Sequence, residues 1–140
     1  MTDYEKLLAE HTDSIKKALD YLKYSYKKIQ SLSMDLHNAE SELLETWESF
    51  VARFARVTDI FMMKYIRVRI LIDDPGFDGT FIDHLNRAEK LGLITDAHQW
   101  REIRNLRNQA THEYSPQELE PYLKQIKKFI PVVLEIEKIL

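Results

Sequence analysis

The chain has 140 residues, 44% hydrophobic and 31% charged, with a formal net charge of -3 and no cysteine. That is enough apolar material to close one core, and no shift in composition divides the chain, so a single domain over 1–140 is expected. The mild acidity argues against nonspecific coating of nucleic acid while leaving room for a local basic cleft. The missing cysteines remove disulfides and thiolate zinc sites, and no signal peptide or membrane-length apolar run is visible, in keeping with a cytoplasmic location.

From about Asp3 to Ile29 the residues Leu8, Ile15, Leu19, Leu22, Tyr26 and Ile29 recur at threes, fours and sevens, the pattern of a long amphipathic helix. Lys16, Lys17, Lys23, Lys27 and Lys28 fill much of the remaining surface and read as a solvated face. Ser31 to Asn38 is a polar link, with Asn38 or a nearby serine as N-cap of a second long helix from roughly Ala39 to Ile72. That helix is apolar on two sides. Trp47, Phe50, Val51, Phe54, Phe61 and Val68 form one stripe, and Ala52, Ala55, Met62, Ile66 and Ile70 a neighbouring one. So wide an arc belongs at the centre of a bundle or between the bundle and a partner. Its second half carries Arg53, Arg56, Lys64, Arg67 and Arg69 against the single acid Asp59, a source of positive charge wherever the cluster faces the next functional element.

Asp73 to Thr80 is a glycine- and proline-containing acidic loop, read as a surface turn rather than a cation site. Thr80 caps a short helix through Lys90, supported by Asp83, and Gly92 is its C-terminal stop. Thr95 and Asp96 open the next helix, which places Trp100, Ile103, Leu106, Ala110 and Tyr114 on one apolar arc with Arg107 inside it. An unpaired guanidinium is costly in a dry core, so Arg107 needs an anionic partner or a non-core neighbour. This helix is predicted to end close to Tyr114, because Ser115-Pro116-Gln117-Glu118 is a capping-box signal and a residue before proline avoids helical geometry. In the last helical stretch Pro121 is predicted to restart the helix and Pro131 to kink it, burying Tyr122, Ile126, Phe129, Val133, Ile136 and Leu140 in two segments. The fold class is all-α, an antiparallel bundle of about five helices.

The chain has no glycine-rich phosphate loop, no H-E-x-x-H pair and no serine or cysteine nucleophile in a recognisable setting, and His11, His37, His84 and His98 are scattered. The chemistry concentrates between Arg104 and Tyr114. Arg107, four intervening residues, His112, one residue, then Tyr114 resembles the R-x-x-x-x-H-x-Y motif of the HEPN superfamily, most closely its HepT-like toxins and nucleotidyltransferase substrate-binding proteins. Asn108 supplies the polar residue after the arginine, and Ala88-Glu89-Lys90-Leu91-Gly92-Leu93-Ile94 is similar to the Gly-Leu-Ile link before the motif helix of that branch. The resemblance covers most of residues 40 to 130, with the first helix matching in kind.

It implies a HEPN-like, four-helix up-and-down core and a metal-independent endoribonuclease toxin of a toxin-antitoxin pair, with no cofactor. Arg107 and His112 would be catalytic, and Asn108 and Arg104 are the candidate substrate contacts. Tyr114 would be the residue on which a cognate nucleotidyltransferase antitoxin attaches AMP. The residue types suit the reaction: a histidine can take the proton of a 2'-hydroxyl, and an arginine is a permanent planar donor to phosphate oxygens. On a continuous helix, however, Arg107 and His112 lie about 140° apart and roughly 7 to 8 Å along the axis, so one copy is a poor site. HEPN proteins pair their motif helices across a twofold axis, and a homodimer of that kind would place Arg107 at the border of an interface. The competing reading is a non-catalytic helical partner subunit of a small nucleotidyltransferase; a third is a helical scaffold with a decayed motif.

Overall fold

The Thr2 hydroxyl accepts a hydrogen bond from the Glu5 amide, and the Glu5 carboxylate accepts one from the Thr2 amide, a capping box that starts α1 (Asp3–Ile29). The computed structural model describes all residues 1–140 and contains helices only. After α1 come α2 (Ser41–Ile60), a π-helical turn (Phe61–Tyr65), α3 (Ile66–Asp73), α4 (Phe81–Lys90), α5 (Ala97–Asn108), α6 (Pro116–Leu134) and a closing 3-10 turn (Glu135–Ile139).

α1 packs along α2, and the contacts of Tyr26 with Phe50 and of Arg53 with Tyr21 and Ser25 bring late α1 to mid α2. Asp59 meets Arg107 while Phe61 meets Trp100 further back in α5, so α2 and α5 also run antiparallel. α6 lies against α2 and α5. One core unites buried residues of every helix, among them Leu22, Phe50, Leu85, Ile103 and Ile126. No helix is long and apolar enough to cross a membrane.

A π turn divides the doubly apolar stretch, and Phe61 and Val68 of the first stripe stay buried in and beyond it. Thr58 is buried and turns its hydroxyl back onto the carbonyls of Phe54 (3.0 Å) and Ala55 (3.1 Å), a bond that bends helices. The next turn then widens, with the Ile66 amide reaching back to Phe61. One residue added to a turn rotates the buried face by about 100°. Before it, Trp47, Phe50, Phe54 and Val57 enter the core; within it Phe61, Met62 and Tyr65 do so, and after it Ile66 and Ile70. The second stripe is thus core only from the turn onward, while Ala52 is exposed and Ala55 half-buried above it.

Several boundaries differ from those expected. Asn38 does not cap the second helix: it takes a left-handed backbone (φ 55) within the link, and Glu40 stands at the N-cap without a side-chain bond. The helix starts at Ser41, two residues beyond Ala39, and α3 continues to Asp73. α6 is one helix through both Pro121 and Pro131, with no restart, and its geometry tightens only at Glu135. Both prolines are on the exposed side, where the carbonyls they leave without a helical N–H can bond to water. α4 is as expected, with Thr80 and Asp83 in a complete capping box and Gly92 left-handed (φ 75) at its stop.

Candidate functional site

The motif helix ends at Asn108, six residues before Tyr114, so His112 and Tyr114 belong to the link between α5 and α6. The Gln109 carbonyl organises that link by accepting the His112 amide (3.1 Å) and the Tyr114 hydroxyl (3.2 Å). Gln109 Oε1 lies 3.3 Å from the same hydroxyl. Ser115 then caps α6, accepting from the Glu118 amide and donating to its carboxylate at 2.8 Å. Tyr122, in the second turn of α6, donates to the Leu106 carbonyl at 2.8 Å and stacks on the Tyr114 ring at 4.8 Å. The end of α5 is therefore held by aromatic side chains rather than prolonged as helix. The 140° separation expected for Arg107 and His112 does not apply.

Arg107 leaves the last turn of α5 and forms a two-point pair with Asp59 in the last turn of α2: Nε donates to Oδ1, and Nη2 donates to Oδ2 at 2.6 Å. The side chains retain 28% and 39% of their exposure, so the pair lies at the boundary of the core rather than within it. Asp59 holds the guanidinium further above its usual range, chiefly by hydrogen bonding. The apolar arc that contains Arg107 thus tolerates it because its counter-ion sits across from it.

Arg107, His112 and Tyr114 all line one open groove of about 1170 Å³ between α2 and the α5–α6 link. Its floor is apolar, built from Leu44, Val51, Ala55 and Met63 with Leu119 and Leu123 of α6. Its charges balance: Arg56, Lys64 and Arg107 against Glu48, Asp59 and Glu113. Only part of the basic cluster reaches the groove, since Arg53 is bonded to the Tyr21 carbonyl and Ser25 on α1, and Arg69 to the Tyr65 hydroxyl. The positive cleft available to the acidic chain is correspondingly weak.

His112 is exposed, its ring 6.1 Å from that of Tyr114 and without a hydrogen-bond partner in the chain. Tyr114 is half-buried; burial, then the Glu118 carboxylate, pushes its phenol above the usual range. The Tyr122 phenol is pushed up further by burial and by Tyr114 beside it. Arg104 lies over the Phe81 ring at 3.9 Å and Asn108 is exposed at the end of α5; neither lines the groove. No cluster of three or more His, Asp or Glu side chains is arranged to hold a metal ion.

Gln109, Tyr122 and Asp59 shape the site without standing out in the sequence as functional residues. Asp59 had a signal, as the one acid in a basic stretch, but nothing local named its partner 48 residues away. Chemically, the groove offers an unpartnered imidazole, a guanidinium with donors to spare, and an apolar floor. Comparison of the chain with protein-family models, with curated proteins and with solved structures finds no match.

Proposed function

We propose that the protein is a HEPN-like, metal-independent endoribonuclease acting as a homodimer, the toxin of a toxin-antitoxin pair. The observation that supports this most is the meeting of Arg107, His112 and Tyr114 in one groove even though α5 stops at Asn108. His112 takes the proton from a ribose 2'-hydroxyl, the freed oxygen attacks the adjacent phosphorus, and Arg107 stabilises the dianionic phosphorane. The bond to the 5'-oxygen then breaks, and that oxygen takes a proton from water. Asn108 and Arg104 would contact RNA outside the groove. The apolar floor, with Met63 40% exposed, is the surface a second copy would cover.

This chemistry dictates the products. Incubating the purified protein with single-stranded RNA and a chelator should yield fragments with 2',3'-cyclic phosphate and 5'-hydroxyl ends. Fragments with 5'-phosphates, or no cleavage, contradict the proposal.

The non-catalytic reading, a helical partner subunit of a small nucleotidyltransferase, is favoured by a different observation: Asp59 already engages Arg107, and the groove carries no net formal charge. Under either reading a cognate nucleotidyltransferase would attach AMP to Tyr114. Its hydroxyl must first leave Gln109, since both bonds hold it within the link. Mass spectrometry after co-expression with such an enzyme should place the AMP on Tyr114; AMP on another residue removes the assignment.

A further inference from the structure

The pair between Asp59 and Arg107 divides the guanidinium into two edges. Nε and one N–H of Nη2 are engaged by the carboxylate, while both N–H groups of Nη1 and the second of Nη2 have no partner in the chain. No buried side-chain nitrogen or oxygen in the protein lacks a hydrogen bond, so Nη1, which makes none, is accessible to water. Arg107 is among the residues that line the groove. Asp59 is itself firmly placed: it sits in the last turn of α2, between buried Thr58, whose hydroxyl bonds back into the helix, and the π turn that begins at Phe61. A two-point pair between planar groups fixes the plane of the guanidinium as well as its position.

We propose that Asp59 is the positioning residue of the site: by gripping the Nε and Nη2 edge of Arg107 it presents the opposite edge to the phosphate in the groove. The role rests on the ribonuclease reading above. Asp59 itself touches no substrate. It acts through Arg107, and its charge weakens ground-state binding of the polyanion while its geometry serves the transition state. Positioning and affinity are therefore set against each other at this residue, a relation that a purely structural ion pair would not produce.

The test is steady-state cleavage of a single-stranded RNA by the parent, Asp59→Asn, Arg107→Ala and the double variant, with circular dichroism confirming the fold of each. Asparagine removes the charge and opposes an amide N–H to the guanidinium donors, so the fork is lost. The expected result is a kcat lowered by about 10–100-fold, the loss that accompanies a misplaced transition-state donor. KM should stay the same or fall. One newly unpaired cation should also steepen the salt dependence of RNA binding by about 0.7 in log-log slope. In the Arg107→Ala background, Asp59→Asn should change kcat no further. Should Asp59→Asn melt at the assay temperature, Asp59→Glu replaces it. The carboxylate is then kept but displaced by one methylene, so kcat should drop with no change in salt slope. An active parent with kcat unchanged in the variant overturns the positioning role and leaves the ribonuclease reading standing, as does an equal loss in the Arg107→Ala background. A parent that cleaves no RNA removes the ribonuclease reading and this role with it.

Discussion

At the scale of single residues, the end of α5 depends on a few directional bonds. Tyr122 donates to the Leu106 carbonyl from a buried position, and replacing it with phenylalanine removes that donor while keeping the ring stacked on Tyr114. The Leu106 carbonyl keeps the Gln109 amide as a partner. The expected loss is therefore about 1 kcal/mol, readable by urea unfolding. The same variant carries a pH signature. Burial raises the Tyr122 phenol above its ordinary value of 10.0, so this group's contribution is complete below that pH. Above it the unfolded chain ionises first, and the contribution is lost as pH rises towards the folded value. Tyr122→Phe should accordingly show a shallower decline in stability above pH 10 than the parent, and an identical decline would contradict the buried, protonated phenol.

Among the helices, what was legible in the sequence was whatever local chemistry decides. The long period of α1 and the box of Thr80 with Asp83 specify their elements without distant help, and Gly92 supplies the left-handed stop. The end of α5 was not legible. Gln109-Ala110-Thr111 contains neither glycine nor proline, and the helix stops there because Tyr114 and Tyr122 stack and Gln109 gathers the link, contacts that periodicity does not encode. The π turn was hidden for another reason: with two apolar stripes on one helix, nothing local tells which stripe is buried where. The candidate site was legible as a residue set in Arg107, His112 and Tyr114, whereas its geometry and the role of Asp59 required the tertiary fold.

The capping box makes a prediction at this scale. The Thr80 N–H donated to Asp83 holds that carboxyl below its ordinary value of 3.8, so its contribution is present above that pH and is lost as pH falls through the lower folded value. Asp83→Asn should flatten the fall in melting temperature on acidification below about pH 4. A melting curve series with the parent's slope would mean the box does not hold in solution.

For the whole molecule, the groove is the feature that one chain leaves open. Its lining holds Ala55 and Met63 together with Arg107 and His112, so a second copy covering that surface would bring two motifs together. Sedimentation at micromolar concentration should show a dimer, and Ala55→Arg, which puts a charge on the floor, should give a monomer with the parent's helical content. A parent that sediments only as monomer contradicts the dimer.

The proposed chemistry resides in this groove. The most direct measurement is cleavage of single-stranded RNA, with metal chelated, by the purified parent and by His112→Ala and Arg107→Ala of unchanged circular dichroism and oligomer mass. Loss of the proton acceptor should lower the rate by about 10²–10⁴-fold, and loss of the oriented cation by about 10²–10³-fold. Alanine variants that cut as fast as the parent would assign the cleavage to another nuclease and contradict the account, leaving the partner-subunit reading in its place.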